Sequence, residues 1–236
     1  MLPSACKPAS MKPRLLFALA CLTAALGRLL TPSAQAQKND WLIVPGQRVG
    51  PISATTTRAQ LDELFGTDKV HDGTFTDGDV PEAATIVLGE DPGAGLAVTW
   101  DRARPATIRI CFASPTGPCK WRTSSGIRIG LPMRELERLN GKSFQLAGFA
   151  STGEGTVTSW RHGELEPDPA ACGHLDVKLT PLAKLEDRPL SKSESDLIKQ
   201  LGSDKAYSST FLPLVELNPI VSVLEFRFTG NGCKAQ

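Results

Sequence analysis

Residues 49–66 read VGPISATTTRAQLDELFG, and residues 126–141 read GIRIGLPMRELERLNG. Set 75 positions apart, Ile52 meets Ile127, Leu61 meets Leu136, Leu64 meets Leu139 and Gly66 meets Gly141. Each stretch opens on a short β-like piece, ISA or IRI. Each then places two leucines at i and i+3, the spacing that puts both on one helical face. Each closes on glycine, a common helix terminator. Thr57 and Gln60 have capping-box spacing. Pro132 suits a first helical turn, where its missing N–H costs nothing. Both predicted helices span about two to three turns, so packing has to hold them.

After each helix the hydrophobic period falls to two. In the first half this predicts strands near 85–88, 96–100 and 107–112. In the second half it predicts strands near 143–149, 155–161, 174–180 and 221–229. Turn residues separate them, as at Asp91-Pro92-Gly93, Ser114-Pro115-Thr116-Gly117 and Asn218-Pro219. The expected fold is therefore α+β: two similar modules, each a short helix packed on an antiparallel β-meander. The first covers 41–123, and the second covers 124–233 with an insert at about 181–220. Inside the insert, Ser191 and Glu194 form another capping box, Leu197, Ile198 and Leu201 line one face, and Gly202 closes the helix. The apolar run Phe211–Val215 fits a core-facing loop or edge strand, or else a docking patch.

The two repeated stretches, GPISATTTRAQLDELFG and GIRIGLPMRELERLNG, fit a loose opening of glycine, isoleucine, a small residue, threonine and two spaced leucines. In this the chain resembles the fold shared by the small outer-membrane assembly lipoproteins (the BamE/SmpA family) and the tandem-repeat β-lactamase inhibitor proteins. The resemblance covers some 34 residues. It implies a sheet surface used for binding other proteins. It transfers no individual contact residue.

The amino terminus predicts export. Met11-Lys12-Pro13-Arg14 is basic, Leu15–Leu26 is apolar, and Ala34-Gln35-Ala36 has the form of a cleavage site. Residues 1–36 thus read as a secretory signal peptide cut near Ala36. The apolar run is too short for a confident membrane span, which needs about 20 residues. Ala18-Leu19-Ala20 before Cys21 is a poor lipobox, so lipid anchoring there is not expected. Lys7, Lys12, Arg14 and Arg28 leave with the leader and no acid does. The 26 basic residues fall to 22 against 25 acidic, a balance of −3. Such a chain offers no basic face to nucleic acid. The expected location is periplasmic or secreted.

Cys111, Cys119, Cys172 and Cys233 remain after cleavage. An even number in an exported chain predicts two disulfides. No spacing among them fits a zinc template. Cys111 and Cys119 sit on the two arms around SPTG, while Cys172 and Cys233 flank the predicted strands at 174–180 and 221–229. That placement favours Cys111–Cys119 and Cys172–Cys233.

Signals for chemistry are weak. His71, His162 and His174 have no nucleophile motif beside them. Asp72, Asp77 and Asp79 with Gly73 and Gly78 make an acidic loop that could hold calcium or simply turn. Glu164, Glu166 and Asp168 form a second acidic patch, where paired carboxylates could serve glycoside hydrolysis. Trp100, Trp121 and Trp160 are candidates for an aromatic binding surface, or else fill a seam in the core. No cofactor or metal is expected. The composite expectation is an exported, non-catalytic, protein-binding or envelope-associated module. A hydrolase with a site drawn from His162 and Glu164 or Glu166, and a purely structural envelope component, are the alternatives.

Overall fold

The structure, a computed structural model, describes residues 40–77, 80–113, 117–149, 154–186, 188–202 and 205–229. The expected leader with Cys21 and Ala36, the acidic-stretch residues Gly78 and Asp79, the loop residues Ser114–Thr116, and Cys233 lie outside these residues.

Three short strands, β1 (Leu42–Val44), β2 (Arg48–Val49) and β3 (Ile52–Ser53), lead into helix α1 (Arg58–Phe65). Thr57 caps that helix with the expected box: its hydroxyl accepts from the Gln60 N–H, and the Gln60 side chain accepts from the Thr57 N–H. Four longer strands follow: β4 (Val70–Asp77), β5 (Val80–Val87), β6 (Leu96–Asp101) and β7 (Arg104–Ile110). After the short β8 (Arg122–Thr123) comes α2 (Met133–Asn140). Its C-cap is Gly141 at φ 69°, a backbone that glycine adopts without penalty. The second half continues with β9 (Gln145–Ala147), β10 (Val157–Ser159) and β11 (Gly173–Pro181). The insert holds α3 (Leu182–Leu185), α4 (Lys192–Gln200), β12 (Ala206–Ser208) and α5 (Leu212–Leu217). Strand β13 (Pro219–Phe228) closes the chain.

The architecture is mixed helix and antiparallel sheet, with sheet dominant. The main sheet has six strands in the order β11-β13-β7-β6-β5-β4, every neighbour antiparallel. Two smaller sheets flank it, β3-β2-β1-β8 and β10-β9-β12. The second of these meets β11 through the Thr156↔Lys178 bridge and the Leu179 N–H to Gly155 C=O hydrogen bond. The β7–β13 pair joins strands from the two halves of the chain in one sheet.

One face of the main sheet carries the core. Leu96, Val98, Ile108, Ile110, Val177, Leu224 and Phe226 are buried there with Leu61 of α1, Leu136 of α2, and Trp121. Leu61 and Leu136 are both fully buried, while Leu64 and Leu139 are half-buried. In each i, i+3 pair the first leucine is buried and the second half-buried.

Several local expectations change. Val70–Asp77 is a paired strand and not an acidic loop, because β4 bonds β5 along its whole length and the turn is confined to the tip. Phe75 explains the difference. Its ring buries against Ala84, Ile86 and Ala97, which gives the strand an apolar anchor that the Asp-Gly spelling hides. The run 212–217 is helix and not an edge strand: Pro213 sits in the first turn, and Asn218 at φ 46° caps its end. Helix α4 begins at the expected Ser191–Glu194 box but ends at Leu201, one residue before the glycine. The insert is also held outside the helix. Arg188 bonds Glu194 at 2.7 Å and Glu186 at 2.6 Å.

Cys111 and Cys119 are joined by a disulfide with their Cα atoms 6.0 Å apart. Cys172 is also disulfide-bonded.

Two predictions follow from this packing. Leu61→Ala and Leu136→Ala should each destabilise by about 2–5 kcal/mol in urea unfolding, and Leu64→Ala and Leu139→Ala by clearly less. The Arg188 guanidinium, with help from the Ser191 N–H, lowers the Glu194 carboxyl to about 2 from its ordinary 4.5. Its folded value lies below its unfolded one, so its contribution is present above about pH 4.5 and is lost as pH falls toward 2. Carboxyl titration by NMR should show Glu194 among the last carboxyls to protonate.

Candidate functional site

The face of the main sheet opposite the core holds the most organised polar structure among the described residues. Strand register aligns His71, Ile86, Ala97, Arg109, Glu225 and Asp176 in one row across all six strands. Side chains alternate along a strand, so this row shares one face. Toward β4 the row is apolar. Toward β11 it is ionic.

The ionic part is a ladder of alternating charge. Arg109 donates to Glu225 through Nε at 2.8 Å and Nη2 at 2.7 Å. Arg227 reaches the other oxygen of Glu225 through its Nη2. The Arg227 Nε also donates to Asp176 at 2.6 Å. The Nε2 of His174 lies 3.4 Å from the second Asp176 oxygen. At the other end the Arg109 guanidinium stacks 5.6 Å from the Phe75 ring centroid. Asp176 sits directly opposite Glu225, a like-charge pair that is unfavourable by itself. Arg227 bridges the two carboxylates and removes that conflict.

Burial grades along the ladder. The side chains of Arg109 and Glu225 are 8% and 7% exposed, whereas that of Arg227 is 49% exposed. The inner pair is therefore a fixed, desolvated element, and the outer members meet solvent. A buried ion pair contributes little net stability against an apolar replacement, but removing one partner leaves an uncompensated charge.

His174 also borders two adjoining hollows of about 310 and 280 Å³, and Asp176 the first of them. Trp160, Glu166, Asp168 and His174 line both. The carboxylates here are engaged with backbone: Glu166 accepts from the His162 N–H at 3.0 Å and Asp168 from the Ala170 N–H at 2.8 Å. Glu166 thus meets the backbone of His162, while the His162 side chain is exposed. His71 is exposed on β4, away from any such carboxylate contact. Among the described residues no group of three or more His, Cys, Asp or Glu side chains is placed to hold a metal ion.

Above Trp160 the chain turns sharply. The Gly163 N–H donates to the Trp160 C=O at 3.1 Å. The central residues Arg161 and His162 have φ of 55° and 56°. This is the φ signature of a type I′ turn, whose central positions favour Asn and Gly. Non-glycine residues in the left-handed region cost about 1–2 kcal/mol each. Asn140, fully buried at the end of α2, holds the turn: its Nδ2 donates to the Trp160 C=O at 2.9 Å and its Oδ1 accepts from the Leu165 N–H at 3.2 Å. A Cβ on Gly163 would lie 2.2 Å from the Asn140 Oδ1, so only glycine fits there.

The tryptophans lie mostly inside. Trp121 is fully buried and donates to the Ala94 C=O at 2.8 Å. Trp160 is 7% exposed and packs on Phe144. Trp100 is half-buried and donates to the Thr85 hydroxyl at 2.9 Å. These positions match the seam-filling alternative, and they offer no continuous aromatic platform. The ladder went unforeseen because its members lie far apart in the chain; Arg109 and Glu225 are 116 residues apart. The alternation in VSVLEFRF was the available signal, since it places Glu225 and Arg227 together on the face away from Leu224 and Phe226.

Comparison with protein-family models, curated proteins and solved structures finds no match.

Glu225→Ala should destabilise by about 3–5 kcal/mol, because it removes the desolvated carboxylate that both Arg109 and Arg227 contact. Arg227→Ala should cost about 1 kcal/mol or less, as expected for a half-exposed ion-pair member. Chemical denaturation of both variants measures the contrast.

Proposed function

We propose that this chain is an exported, non-catalytic module that binds another envelope or secreted protein through the ladder-bearing face of its main sheet. The observation that carries the reading is the graded ladder. A desolvated Arg109–Glu225 pair fixes the register and orientation of the half-exposed Arg227, Asp176 and His174. Charges held in place before contact lose little side-chain entropy on binding, which favours specific recognition. The disulfide at Cys111–Cys119 suits an oxidising compartment, periplasmic or extracellular. Among the described residues no helix is long and apolar enough to cross a membrane.

The same reading takes the chain as two copies of one helix-plus-meander unit. Helices α1 and α2 are each eight residues long, starting at 58 and 133, the offset of the repeated sequence. Strands β4 and β9 begin at 70 and 145, the same offset again. This supports the likeness to the BamE/SmpA and β-lactamase-inhibitor families, and with it a role in contact rather than chemistry.

A hydrolase is the second reading, favoured by the His174–Asp176 contact at the rim of a hollow. It requires an Asp176 already committed to Arg227 to orient the imidazole. His174→Ala abolishing turnover in an esterase and glycosidase screen would establish it.

The main reading is tested by capture from envelope extract with the tagged chain spanning residues 37–236, beside its Arg227→Glu variant. The expected result is a specific protein retained by the wild type and lost by the variant at equal folded fraction. Equal capture by both would remove the sheet face from the account.

A further inference from the structure

We propose that the Trp160–Gly163 turn is a preformed recognition element that offers Arg161 and His162 to an acidic surface of a protein partner. The inference rests on the protein-binding reading above and adds a second contact to it.

The backbone of this turn is held from three sides. Asn140 bonds the carbonyl of Trp160 from within, and the Asn140 carbonyl accepts from the Glu164 N–H at 2.9 Å. The carboxylate of Glu166 takes the His162 N–H at 3.0 Å. The ammonium of Lys142 donates to the His162 C=O at 2.9 Å. With these bonds the backbone keeps a conformation that Arg and His disfavour.

Both residues are exposed. Among the described residues neither side chain makes a hydrogen bond, ion pair or ring contact. Arg161 and His162 are also the one consecutive pair of left-handed non-glycine residues among those described. Most of the single ones have a local use: Cys111 carries a disulfide, Asn218 caps α5, and Leu88 packs against the core. An Asn-Gly turn would connect the same ends without strain. The residues present therefore suit something outside the chain.

Charge indicates what that is. Arg161 offers a planar, permanently charged fork that bonds no carboxylate among the described residues, a geometry matched to Asp and Glu side chains. Lys142 adds a second positive charge at the base of the turn. Glu166 is turned toward the backbone of His162, and the exposed Glu164 and Asp168 follow the turn. The tip itself presents a guanidinium and an imidazole on a fixed backbone, which loses little entropy when a carboxylate docks.

The test uses NMR titration of the chain with a decaglutamate peptide, and a decalysine control. Shifts centred on Arg161 and His162 and weakened by salt are expected with decaglutamate, and none with decalysine. Arg161→Asn/His162→Gly should weaken binding by about tenfold or more while raising Tm by about 4 °C or more, since the strain is relieved. Arg161→Ala/His162→Ala should weaken binding equally without the same gain in Tm. Wild-type shifts that are absent or centred elsewhere overturn the proposal, as does a turn variant that binds like wild type. Extract capture separates the two ideas. A protein lost by Arg227→Glu but kept by the turn variant leaves the sheet face standing and removes the turn. A protein lost by both supports the turn as a second contact.

Discussion

The pairing of β7 with β13, Thr107↔Arg227 through Ile110↔Leu224, is the constraint on which the rest of the structure depends. On one side of this seam Ile108, Ile110, Leu224 and Phe226 are buried together and join the helices of both halves to a common core. On the other side the same four pairs place Arg109 against Glu225 and exclude water from them. Core packing and polar ladder are thus two faces of one register. Side chains alternate with period two, so a slip of β13 by one residue would turn Glu225 inward and Leu224 outward.

That coupling gives the buried pair a purpose apart from net stability. Taking Arg109 and Glu225 out of water is costly, and their attraction roughly offsets the cost. A one-residue slip of either strand would carry its charge into the apolar core, at far greater expense. The pair therefore discriminates between alignments more than it strengthens the correct one. Arg227 extends the same logic outward by sitting between Glu225 and Asp176. The order of the half-exposed residues on this face derives from a fully desolvated centre.

Local signals were legible in the residues. The Thr57–Gln60 and Ser191–Glu194 boxes start helices where their spacing places them, and Gly66 and Gly141 end the first two. All seven expected meander strands overlap their counterparts by three residues or more, since alternation survives in a half-buried strand. What failed depended on contacts remote in sequence. Residues 70–77 mix the strand formers Val70, Thr74, Phe75 and Thr76 with Asp72, Gly73 and Asp77, which read as turn. They pair because Phe75 finds an apolar floor built by Ala84 and Ala97 on neighbouring strands. The helix at 212–217 carries a proline in its first turn and precedes another, so its short apolar run gave no period to read. The polar ladder was the least legible feature. It needs strand order, and neither composition nor spacing contains that.

Strand β13 is the last element among the described residues, yet it occupies an interior place in the main sheet. While a chain is being made or threaded, β7 waits more than a hundred residues for its neighbour, its hydrogen-bonding groups open along one side. Such a wait is slow to resolve, because a long loop must close before any contact rewards it. An open strand flanked by apolar residues is also adhesive toward other chains. Assembly of this molecule is therefore governed by the arrival of its C-terminal strand, and the interval before that arrival is when it is most exposed to aggregation.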